Sequence, residues 1–123
     1  MGKCNFVLFL MAFVLMGSCS LQDCEDFDTK FLSYREALTA IRLWEFALAE
    51  ECDTSESSWI DGAEFYSCDE QRGYLIVVAN GRQYIHENVP FALWESFKKA
   101  DSFGRFYDQR IRGKYRLGLK SEN

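Results

Sequence analysis

Within these 123 residues, reactive or ligating side chains are few: five cysteines and a single histidine, His86. Acid–base catalysis needs a base held beside the group it deprotonates. His86 has no such partner in the sequence, and Ser57, Ser58 and Ser102 lie in no nucleophile-elbow context. Acidic residues are plentiful but show no spacing diagnostic of a working carboxylate pair. No Cys-x-x-Cys occurs, and one histidine cannot complete the common zinc ligand sets. The chain reads as a non-enzyme, with no metal and no other cofactor expected.

Binding chemistry is better represented. From Cys19 to Phe97, five basic residues face sixteen acidic ones; from Lys98 to Asn123, eight basic residues face three acidic ones. Arg105, Arg110, Arg112, Lys114 and Arg116 are interleaved with Phe106, Tyr107 and Tyr115. Cations beside rings can follow phosphates and stack on bases. The favoured reading is plainer: Phe106, Tyr107 and Ile111 belong to the core and the arginines line a surface. Arg105, Arg110, Arg112 and Lys114 are then the candidate surface for an anionic ligand, unless the basic tail folds back over the acidic part and is neutralised there. A net charge of −5 argues against phosphate binding over the whole surface.

The N-terminus bears on where such a surface would work. Lys3 precedes an unbroken apolar run from Phe6 to Met16. As a helix, those residues span about 16 Å, against about 30 Å of bilayer core. A charged start, a short apolar stretch and small residues behind it form the pattern of a cleaved export segment, residues 1–18. Met16-Gly17-Ser18-Cys19 resembles the lipobox of bacterial lipoproteins, which implies a lipid on Cys19, although Leu more commonly stands where Met16 does. A secreted or periplasmic protein released by an ordinary signal peptide is the alternative; a cytoplasmic protein with a fortuitous apolar start is another. Of the remaining cysteines, Cys52 and Cys68 are the favoured disulfide pair, with Cys24 left over; three reduced thiols are equally open.

Behind that anchor, residues 19–30 are polar and acidic and read as a tether. Ser33-Tyr34-Arg35-Glu36 matches a capping box, and Ala37, Ile41, Trp44 and Leu48 share one helical face, predicting a helix from Tyr34 to Glu51. A polar linker completes the unit 31–56. From Trp59 the period becomes two, the Tyr74–Val78 run is β-branched and apolar, and Asn80-Gly81 signals a tight hairpin into a strand from Arg82 to Glu87. Pro90 suits a helix start, and Ser102 a second cap before Gly113. The expected fold is α+β: an N-terminal helix, a three-stranded antiparallel meander and two C-terminal helices packed on the sheet.

Residues 57–116 resemble the KTSC domain, a family found at the C-terminus of some lysyl-tRNA synthetases and as a lone bacterial domain. The matching pieces run in order: Ser57-Ser58-Trp59-Ile60, Tyr66, the Leu75 strand, Gly81 with Tyr84, Val89-Pro90, Trp94-Glu95, Ala100 to Tyr107, and Ile111 to Tyr115. The resemblance marks Tyr84, His86, Pro90, Ser102, Gly104, Ile111 and Tyr115 as motif positions; His86 stands where the family's Tyr-x-Tyr motif has its second tyrosine. RNA binding has been suggested for the family by analogy with its fusion partner, an inference that an exported protein would not share. The expectation is therefore a small binding or interaction module, lipid-anchored at the bacterial cell envelope. Its partner would be an unidentified protein or an anionic envelope ligand such as a glycan or phospholipid headgroup. RNA binding is the alternative if the chain is cytoplasmic. Residues 117–123 form a tail.

Overall fold

A computed structural model describes the backbone of Cys4–Asn5, the residues Cys24, Phe27 and Lys30, and residues 31–120. Helix α1 (Tyr34–Leu43) starts where Ser33 Oγ accepts the Glu36 backbone N–H at 3.1 Å, while the Glu36 carboxylate accepts the Leu32 N–H at 2.8 Å. A helix of ten residues is marginal alone. It persists here because Ala37 and Ile41 are fully buried against the sheet.

The predicted helix to Glu51 is too long. The chain leaves the helix at Trp44 (φ −81°, ψ 149°) and enters a strand, β2 (Leu48–Cys52), after the two-residue β1 (Cys4–Asn5) in chain order. Antiparallel strands β3 (Ile60–Ser67), β4 (Arg72–Ala79) and β5 (Arg82–Pro90) follow in spatial order. The sheet thus has four main strands rather than three. β1 adds only Cys4 and Asn5 beside Cys52 and Glu51; the rest of the stretch read as an export segment lies outside the described residues. Asn80 (φ 52°) and Gly81 (φ 79°) make the expected tight turn, a left-handed pair that asparagine and glycine tolerate best.

Both faces of the sheet are covered. On one, Phe65, Leu75 and Val77 meet Leu93, Trp94 and Phe97 of α2 (Phe91–Lys98) and Phe103 of α3 (Phe103–Phe106). Helix α3 runs into a π-helical turn, Tyr107–Ile111, which adds Tyr107 and Ile111 to the same core. On the other face α1 packs with Phe27 and Phe31 over Tyr74, Ile76 and Ile85. Each fully buried large apolar side chain contributes about 2 kcal/mol of transfer free energy.

The outer edge of β5 is closed by side chain and backbone. Tyr34 hydroxyl accepts the Ile85 N–H at 2.9 Å and donates to its carbonyl at 3.3 Å, and the Glu87 N–H donates to the Tyr115 carbonyl at 3.2 Å. Such covering protects an edge from pairing with other chains.

The cysteines depart from expectation. The expected Cys52–Cys68 bridge is replaced by Cys24–Cys68, with Cα atoms 5.5 Å apart. Cys52 takes part in a separate disulfide. The physical reason is placement: Cys52 pairs with Ala63 in the middle of β3, five residues and about 16 Å along the strand from Cys68, so the two cannot meet. Cys24 and Phe27 come from the stretch read as a tether, so part of that stretch is fastened to the domain.

Candidate functional site: a polar groove beside a basic surface

An open groove of about 780 Å³ runs between the loop before β3 (Glu56, Ser57, Ser58, Trp59) and the α2–α3 junction (Lys98 to Gly104). Its shape follows from local hydrogen bonding. Ser57 Oγ accepts the backbone N–H groups of Trp59 and Ile60, turning the chain into β3. Ser102 Oγ accepts the Arg105 N–H at 3.2 Å and starts α3. Gly104 is required at the contact between the two walls: a Cβ there would lie 2.8 Å from Cε2 of the Trp59 indole, well inside van der Waals distance. Two segments distant in sequence, Ser57–Trp59 and Ala100–Gly104, thus form one feature.

One wall is tied to the core by a buried charge. Glu50 is 7% exposed; its Oε1 accepts Trp94 Nε1 at 2.7 Å and Lys98 Nζ at 2.8 Å, and Lys98 also donates to Glu95 at 3.0 Å. Burial opposes the Lys98 charge, but the two carboxylates outweigh it and hold its pKa above the ordinary lysine value. The ammonium also lies 5.6 Å from the Trp94 ring centroid. Sequence reading missed Glu50 because a charged residue at an inward strand position breaks the apolar alternation that marks strands.

The basic residues Arg105, Arg110, Arg112, Lys114 and Arg116 are all exposed. Arg112 is paired with Asp108 at 2.6 Å and lies over two rings, 5.7 Å from the Trp59 centroid and 5.8 Å from that of Tyr107. Arg110 lies 5.1 Å from the Phe106 ring. Among the described residues no ion pair involves Arg105, Arg110, Lys114 or Arg116. The interleaved rings are not free platforms: Tyr107 is buried, and Phe106 and Tyr115 are half-buried against the same core, which also takes in Ile111.

Of the other singled-out positions, Cys19 lies outside the described residues. Tyr84 is half-buried and packs on the core; Pro90 closes β5 and precedes α2; Tyr115 bonds through its carbonyl to β5. His86 is buried, with Nε2 2.9 Å from the Tyr107 hydroxyl. Among the described residues its Nδ1 makes no hydrogen bond, although the Tyr115 backbone lies near enough to favour the charged ring slightly. Burial dominates and lowers the His86 pKa to about 4, while burial raises that of Tyr107 to about 12. Both are therefore neutral near pH 7, a packed polar pair rather than an acid–base couple open to substrate. No group of three or more His, Cys, Asp or Glu among the described residues is placed to hold a metal.

These elements define a small α+β domain, an antiparallel sheet covered by helices on both faces, with a polar groove and a basic surface. Residues 66–115 match the model of the KTSC domain. No curated protein and no solved structure matches the chain.

Proposed function

We propose that the protein is a non-enzymatic binding module held at the bacterial cell envelope by a lipid on Cys19, with its recognition surface formed by the groove and the flanking basic residues. The observation that carries the binding reading is the set of exposed cations, Arg105, Arg110 and Lys114, without ion pairs among the described residues, the first of which follows Gly104 of the groove walled by Ser57, Lys99 and Ser102. Charges left uncompensated on a folded surface favour an anionic or acceptor-rich partner. The Cys24–Cys68 disulfide supports export, because such bonds persist mainly in oxidising compartments. Cleavage after residue 18 would remove β1, leave a sheet of the four strands β2–β5 and open the disulfide of Cys52, because Cys19 would carry lipid and Cys24 is bound to Cys68.

Isothermal titration of the soluble domain (residues 20–123) with anionic wall glycans and with phosphatidylglycerol headgroup is the test. Arg110→Glu and Lys114→Glu should each weaken binding about tenfold if the surface is used; retained affinity in both variants removes it. RNA binding is the second reading, supported by the family analogy and by Arg112 beside two rings. It requires a cytoplasmic protein and predicts retardation of RNA that weakens steeply with salt.

A further inference from the structure

The Cys24–Cys68 disulfide joins one end of the domain to the chain that precedes it. Cys68 directly follows β3, whereas Trp59 and the groove lie at the start of that strand. Eight strand residues at about 3.3 Å per step separate the two ends by about 23 Å. Glu87 and Asn88 border the same pocket as Cys24 and Cys68, and the Glu87 N–H bonds to the Tyr115 carbonyl. Lys99 lines the groove and Arg112 lies over the Trp59 ring, which places both at the other end.

We infer that this disulfide orients the domain on its anchor: the β3–β4 turn is held toward the bilayer, and the groove is presented away from it to a water-soluble partner rather than to lipid headgroups. The inference rests on the lipid-anchor reading above. Only five residues lead from Cys19 to Cys24, a reach of at most about 17 Å. That is shorter than the strand that separates the groove from Cys68. Without the bridge the leash would end at Phe27, buried in the core beside Tyr74, and would reach about 27 Å, enough to let either end approach the membrane. The local concentration of a tethered site falls with about the −3/2 power of leash length, so eight residues in place of five weaken the preference about twofold and twelve weaken it about fourfold.

The test uses the full chain, processed and lipidated in a bacterial host and reconstituted in phosphatidylcholine–phosphatidylglycerol vesicles with an acceptor dye on the headgroups. A genetically encoded fluorescent residue replaces Gln71 in the turn or Ser58 at the groove. Position 71 should transfer energy strongly and position 58 weakly. A seven-residue Gly/Ser spacer after Ser20 should cut that contrast about fourfold, and Cys24→Ser with Cys68→Ser should cut it about twofold. The spacer leaves the fold intact, so it decides the matter even if the cysteine variant unfolds. Equal transfer from both positions, or a contrast indifferent to the spacer, overturns the orientation while leaving the anchor standing. Failure of the wild type to float with vesicles overturns anchor and orientation together.

Discussion

Trp94 Nε1 donates to Glu50 Oε1 at 2.7 Å, so a carboxylate buried in β2 is held by the helix that covers the sheet. The same oxygen accepts Lys98, whose neighbour Lys99 lines the groove. Packing of the sheet and position of the groove wall are thereby linked through one side chain.

Glu50→Ala should therefore destabilise the domain by about 3 kcal/mol, because it strands an indole N–H and weakens the hold on an ammonium. Glu50→Gln keeps an acceptor and should cost about 1 kcal/mol. Urea unfolding of the two variants measures both; equal, small losses would show that the network contributes little.

The pH dependence of stability should carry the mark of His86. Its folded pKa, about 4, lies below the ordinary value of 6.5, so the unfolded chain binds the proton more readily. The stability from the neutral ring is complete above pH 6.5 and is lost as pH falls from there toward 4. A shift of that size corresponds to about 3 kcal/mol. Thermal unfolding of wild type should fall more steeply over this window than that of His86→Gln, which does not titrate. Parallel curves would mean the ring is not buried neutral.

Gly104→Ala should push the Trp59 indole from its place between the walls and cost about 2 kcal/mol. Trp59 is held by Tyr107, 6.1 Å between ring centroids, and by Arg112, so it has little freedom to yield. The measurement is tryptophan emission together with urea unfolding; an unchanged spectrum and midpoint would refute the contact.

The disulfide gives a chemical prediction. Non-reducing digestion should release a peptide pair linked through Cys24 and Cys68. Closing a loop across a separation of 44 residues contributes about 4 kcal/mol in the chain-entropy account, so Cys24→Ser with Cys68→Ser should lower stability by up to that amount. A Cys52–Cys68 peptide instead would contradict the pairing.

Much of the fold could be read along the chain because it was encoded locally. Ser33 and Ser102 cap helices as their neighbours indicated, Asn80-Gly81 turns the hairpin, and Tyr84 and His86 face the opposite way from Ile85. What escaped depended on partners distant in sequence. Ala47 to Glu51 is rich in helix formers with no glycine or proline to stop α1, yet pairing with β3 overrides that propensity. Glu50 looks solvent-facing until Trp94 and Lys98 are brought to it. Cys24 sits in a polar stretch with no periodicity, so nothing nearby points to Cys68. The groove joins two loops that carry family motif pieces, but only the fold shows that they meet.

The proposal that this domain works at the envelope on a lipid anchor is open to direct test by fatty-acid labelling with membrane fractionation, comparing wild type with Cys19→Ala in a bacterial host. The expected result is label on a membrane-bound protein lacking residues 1–18, and loss of that label in the variant. Unlabelled, uncleaved protein in the cytoplasm would contradict it and make RNA the partner to pursue.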